Sequence, residues 1–60
     1  MKNAAEMMDV RNWLMALIEK AGGETTGAGI FLSKVPEADF DIKIPLGHFN
    51  VTVVEIDESR

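Results

Sequence analysis

Residues 40–53 read FDIKIPLGHFNVTV, and this stretch decides the fold. Its first part alternates between apolar Phe40, Ile42 and Ile44 and charged residues, which is typical of a strand with one buried face. The proline and glycine within residues 45–48 predict a turn. A second alternation starts at Phe49, and two consecutive strands joined by a short turn predict an antiparallel hairpin.

The two strands of this hairpin are predicted over residues 40–44 and 49–56, but the alternation of the second one changes partway. Its apolar residues up to Val53 share one face, whereas Val54 and Ile56 fall on the opposite face. Either a bulge near Val53–Val54 shifts the register, or both faces of the strand are covered there. We favour the bulge.

The N-terminal part of the chain predicts a helix over residues 4–21. Asn3 and Glu6 have the spacing of a capping box at its start. The interior is rich in Ala, Leu, Met, Glu and Lys, which are good helix formers. Gly22 and Gly23 predict its end, because glycine readily adopts the left-handed conformation that closes helices.

The segment between helix and hairpin contains the remaining strand. Residues 24–29 read ETTGAG and predict a loop or an irregular entry to a strand over residues 30–35, followed by a turn around Pro36. The chain is therefore predicted to be one α+β domain, residues 1–60, with one helix packed on a three-stranded antiparallel meander (α-β-β-β). Residues 57–60 are predicted to be a polar tail.

At about 100° per residue, one apolar stripe of the helix is predicted to face the sheet. Its members are Met7, Val10, Leu14, Leu17, Ile18 and Ala21. Leu14 and Leu17 are expected to share the core with the inward residues of the hairpin, which are Phe40, Ile42, Ile44, Phe49 and Val51.

Several apolar residues and one arginine lie outside this simplest core, on the flanks of the helix and in the last strand. Trp, Met and Arg are enriched at protein interfaces. We therefore predict partner binding by six residues, which are Met8, Arg11, Trp13, Met15, Val54 and Ile56.

Composition argues against several classes of function. Six basic and ten acidic residues give a net charge of −4, and the basic residues are scattered, so nucleic-acid binding is disfavoured. The chain has no cysteine, and with a single histidine no metal or other cofactor is expected. No apolar run approaches the length of about 20 residues that spans a bilayer, and no export signal is evident, so we expect a cytoplasmic protein without membrane contact.

No catalytic motif is present. Gly22 and Gly27 have the spacing of a phosphate-binding loop, but the Lys-Ser/Thr pair is missing and the loop follows a helix. His48 is interpreted as a turn residue, and Asp39 and Asp41 as solvated side chains. The sequence therefore predicts a protein that is not an enzyme.

Residues 36–57 contain a proline, an alternating strand, Gly47, Phe49-x-Val51 and Glu55-x-Asp57. This order resembles the end of the transporter-associated domain found at the C-terminus of hemolysin-type magnesium and cobalt efflux proteins. The Gly-Arg pair usual in that family is absent, and Asp39 stands where a glycine is expected. The resemblance covers the last third of the chain and is not adopted.

The sequence leaves three hypotheses for function. The first is a small acidic, non-enzymatic protein–protein interaction module, a regulatory or inhibitory accessory protein that binds itself as a homodimer or binds another protein. The second is a dimeric nucleic-acid-associated regulator. The third is a small ligand-binding or transporter-associated domain.

Overall fold

A computed structural model describes residues 3–32 and 34–56. In it, one helix precedes three strands: α1 (Ala4–Lys20), β1 (Glu24–Phe31), β2 (Glu37–Ile44) and β3 (Gly47–Val53). The strands form one antiparallel sheet in the order β1-β2-β3. The predicted α-β-β-β architecture is confirmed, whereas the predicted tail over residues 57–60 lies outside the described residues.

Both ends of α1 are closed by the residues that predicted them. Asn3 is the N-cap: its side-chain oxygen accepts from the Glu6 amide at 2.9 Å, and the Glu6 carboxylate accepts from the Asn3 amide at 3.2 Å. At the other end, Gly22 has φ +99°, and the Gly23 amide donates to the Ile18 carbonyl at 2.9 Å. This is the glycine-closed ending in which otherwise unpaired helix carbonyls are satisfied.

The first strand was predicted in the wrong place. It covers Glu24–Phe31 instead of residues 30–35, because the predicted loop is itself extended and pairs with β2. The connection to β2 therefore contains Val35, and β2 begins at Glu37, three residues earlier than expected. Ser33, which was also assigned to this strand, lies outside the described residues.

The glycines of β1 allow a strand where a loop was expected. Thr26 pairs with Asp41 and Gly29 with Asp39, so two residues of β1 stand opposite one of β2, which is a β-bulge. Gly27 has φ +64°, a conformation in which glycine carries no steric cost. The bulge therefore lies in β1.

The bulge predicted near Val53–Val54 is wrong. Strands β2 and β3 pair without interruption from Ala38–Val53 to Ile44–Gly47, and β3 ends at Val53. The turn is shorter than predicted, so His48 lies in β3 and not in the turn. Val54 and Ile56 lie beyond the end of the strand, so their place in the sequence alternation does not assign them to a face of the sheet.

The core lies between α1 and the inner face of the sheet. Met7, Ala38 and Phe40 are fully buried, while Ile42 and Ile44 are half-buried. Asp41 and Lys43 are exposed, so the predicted register of β2 is confirmed. Among the other predicted core residues, Leu14 and Val51 are half-buried, but Leu17 and Phe49 are 45% and 49% exposed.

Candidate interaction surface

The rotation of α1 about its axis differs from the prediction. Met7 and Arg11 are its buried residues, so the inward direction passes between them. At 100° per residue this is about 60° away from the centre of the predicted apolar stripe. Leu17, at the edge of that stripe, is turned outward as a result.

Arg11 fixes this rotation. Its guanidinium donates to the carbonyl of Gly29 at 2.7 Å and to the Asn12 side chain at 3.2 and 3.0 Å. Gly29 follows directly after the β1 bulge. Arg11 was predicted to be part of a partner-binding surface, but it is buried and bonded to β1, because a long arginine can bury its aliphatic stem while its polar end finds hydrogen-bond acceptors.

One flank of α1 faces β1. Besides the bond from Arg11 to Gly29, the hydroxyl of Thr25 in β1 donates to the carboxylate of Glu19. Both helix residues lie on the same flank, since eight positions correspond to about 80° around the axis. The opposite flank of α1 is therefore turned towards β3.

The flank turned towards β3 carries a row of apolar residues between Glu6 and Lys20. Val10, Trp13 and Leu17 follow one another at i, i+3 and i+7, the spacing that places side chains in one row. Val10 is half-buried, Leu17 is 45% exposed and Trp13 is 62% exposed. These residues form a ridge along the side of the helix.

Strand β3 carries further apolar side chains on the inner face of the sheet. Phe49 and Val51 pair with Ile42 and Phe40, so they lie on the inner face, on the same side as α1. The helix nevertheless packs mainly on β1 and β2 and contacts β3 least. We call the resulting area the β3-side surface, formed by Val10, Trp13, Leu17, Phe49 and Val51.

The six residues predicted to bind a partner do not come together. Trp13 lies on the β3-side surface, whereas Met8 and Met15 are half-buried on the flank that faces β1. Val54 and Ile56 are exposed beyond the end of β3. The sequence pattern missed Leu17 and Phe49, which it assigned to the core.

The outer face of the sheet carries polar side chains. Asp41 accepts from the Asn50 side chain at 2.9 Å, and the Thr52 hydroxyl donates to Asn50 at 3.0 Å. An open depression of about 300 Å³ lies beside them, and its lining includes Lys43 and His48. Among residues 3–32 and 34–56, no three His, Cys, Asp or Glu side chains are grouped so that they could hold a metal ion.

Comparison with protein-family models, curated proteins and solved structures finds no significant match to this chain. In the described part of the chain, no helix combines the length and the apolar character needed to cross a membrane.

Proposed function

We propose that this domain is a non-enzymatic protein–protein interaction module that acts as a homodimer through its β3-side surface. The observations that support this proposal are the exposure of Trp13 and Leu17 on one flank of α1 and the exposure of Phe49 on the strand that α1 covers least. Large apolar side chains in contiguous patches are uncommon on soluble monomers and mark interaction sites.

The chemistry of the surface suits a protein partner. Tryptophan is the residue type most typical of interface hot spots, and an aromatic side chain brings about 150–250 Å² of contact area. The charged residues of the same helix flank, Glu6 and Lys20, lie at the two ends of the apolar row, as expected for the polar rim of an interface.

The outer face of the sheet argues against a nucleic-acid partner. Its carboxylates are Glu24, Glu37, Asp39 and Asp41, and the lysine among its paired residues is Lys43. This balance would repel phosphates, because nucleic-acid affinity depends on cationic contacts to the backbone.

Sedimentation over a hundredfold range of protein concentration tests the proposal. We expect a monomer–dimer equilibrium and a melting temperature that rises with concentration, because dimerisation stabilises the folded state by mass action. A single monomeric species with a constant melting temperature would remove the homodimer from the proposal.

Two variants locate the interface. Trp13→Ala should weaken dimerisation at least tenfold, as expected for a hot spot worth more than about 1.4 kcal/mol. Leu32→Ala is the matched control, since Leu32 is 69% exposed and directly follows β1, at the opposite edge of the sheet from β3. It should leave the dissociation constant unchanged, and equal weakening by both variants would contradict the assignment of the surface.

A further inference from the structure

The two edges of the sheet are protected to different degrees. Strand β1 has a bulge at Gly27–Ala28 and begins with Glu24, and both bulges and charged residues discourage pairing with another chain. Strand β3 pairs with β2 without any shift, and residues 47–54 contain no Lys, Arg, Asp, Glu or Pro. Within residues 47–54, the β3 edge thus has neither a bulge nor a charged residue nor a proline to discourage pairing.

The backbone groups at this edge can be assigned from the hairpin. Ile44 and Gly47 flank a two-residue loop and therefore form a hydrogen-bonded pair. Hydrogen-bonded and non-hydrogen-bonded pairs alternate along an antiparallel ladder. The amides and carbonyls of His48, Asn50 and Thr52 consequently point away from β2, towards the open edge.

We propose that β3 pairs antiparallel with β3 of a second copy of this chain, centred on Asn50, to form a continuous six-stranded sheet. The inference rests on the proposed homodimer and specifies how its two copies meet. In this register Asn50 faces Asn50 of the other copy and His48 faces Thr52, so polar residues meet polar residues. Phe49 lies beside Val51 of the other copy, so the inner faces match as well.

The occupant of the edge is a second copy because the strand is complementary to itself. A twofold axis perpendicular to the sheet makes the pairing isologous, so each contact occurs twice. Because this axis keeps both helices on one face, the β3-side surfaces of the two copies lie next to each other. Backbone pairing and these apolar surfaces therefore belong to one interface between the two copies.

Thr52→Pro tests the backbone pairing directly. The Thr52 amide points out of the sheet, so proline is compatible with the protomer but removes a donor from the edge. We expect the dimer dissociation constant to rise at least tenfold, while Thr52→Ser, which keeps the amide, leaves it unchanged. Circular dichroism and dispersed NMR amide signals verify that the protomer remains folded.

Disulfide cross-linking provides a second test of the β3 pairing, which does not require the protomer to tolerate a proline in β3. Because the chain has no cysteine, Asn50→Cys introduces a single thiol. Residues facing each other in a hydrogen-bonded antiparallel pair are about 5.5 Å apart at Cα, within the range for a disulfide. Mild oxidation should therefore cross-link Asn50→Cys into a covalent dimer, whereas Thr52→Cys, four residues from its own symmetry mate in this register, should not cross-link.

The outcomes separate this inference from the proposed function. A wild-type dimer with both expected results supports the pairing. A wild-type dimer that tolerates Thr52→Pro and does not cross-link through Asn50→Cys overturns the β3 pairing but leaves the homodimer in place. A wild-type monomer at all concentrations overturns both.

Discussion

On the β1 side of α1, Arg11 and Glu19 hydrogen-bond to the sheet, whereas on the β3 side Trp13 and Leu17 remain largely exposed. The difference follows from the position of the helix, which packs on β1 and β2. One helix cannot cover three strands completely. Three strands spaced about 4.8 Å apart form a sheet about 14 Å wide, whereas a helix with its side chains is about 10 Å across. The polar bonds to β1 therefore determine which strand stays uncovered.

The largest expected effect on stability distinguishes two phenylalanines on the inner face of the sheet. Phe40 in β2 is fully buried, and Phe49 in β3 is 49% exposed. Phe40→Ala should cost about 3–5 kcal/mol, which approaches the whole stability of a small domain. Phe49→Ala should cost only about 1–2 kcal/mol, because half of its side chain is already in water.

Urea denaturation at a concentration below the onset of dimerisation measures both costs. Equal losses for Phe40→Ala and Phe49→Ala would mean that the β3 half of the inner face is covered as completely as the β2 half.

The second test removes the hydrogen bond from Arg11 in α1 to Gly29 in β1. Arg11→Ala leaves the Gly29 carbonyl without its donor and removes the packing of the arginine stem, so we expect a loss of about 1–3 kcal/mol. Asn12→Ala is the control, because it removes a neighbouring bond but leaves the one from Arg11 to Gly29 in place. Chemical denaturation of both variants measures the difference, and a larger loss for Asn12→Ala would show that Arg11 does not hold the helix.

The periodicity of residues 4–21 predicted a helix correctly, because capping residues and helix formers are local signals. It did not predict the rotation of that helix, because the rotation depends on a hydrogen bond from Arg11 to a carbonyl 18 residues away. The bulge that positions this carbonyl was also missed, since residues 24–29 carry the glycines of a loop. Leu17 and Phe49 were consequently placed in the core instead of on the surface.

The third test concerns the bulge. A Cβ atom at Gly27 would lie 2.8 Å from an Asp41 carboxylate oxygen, and φ is +64° there. Gly27→Ala should therefore cost about 1–2 kcal/mol for the left-handed backbone. The contact adds less, because the exposed Asp41 carboxylate can move away. Gly22→Ala is the matched control, because its φ is +99° but nothing lies within 4 Å.

The contact with Asp41 is measured by making Gly27→Ala in two backgrounds. In thermal or urea unfolding, Gly27→Ala should cost less in the Asp41→Ala background than in the wild type, and this comparison allows for the Asn50 bond that Asp41→Ala itself removes. An equal cost in both backgrounds would mean that the close approach of Asp41 to β1 is not important for stability.

The smallest effect is expected from Leu17, and it bears most directly on the open flank. Sequence periodicity treats Leu14 and Leu17 as equivalent core residues, whereas Leu14 is half-buried and Leu17 is 45% exposed on the β3-side surface. Leu17→Ala should cost the monomer about 1 kcal/mol, by the area removed from water, and less than Leu14→Ala. The same variant should weaken dimerisation, because Leu17 lies beside Trp13, while Leu14→Ala should act on stability alone. Urea unfolding of the monomer together with sedimentation separates the two effects. A Leu17→Ala variant that loses stability as Leu14→Ala does but dimerises normally would mean that Leu17 belongs to the core and not to the β3-side surface.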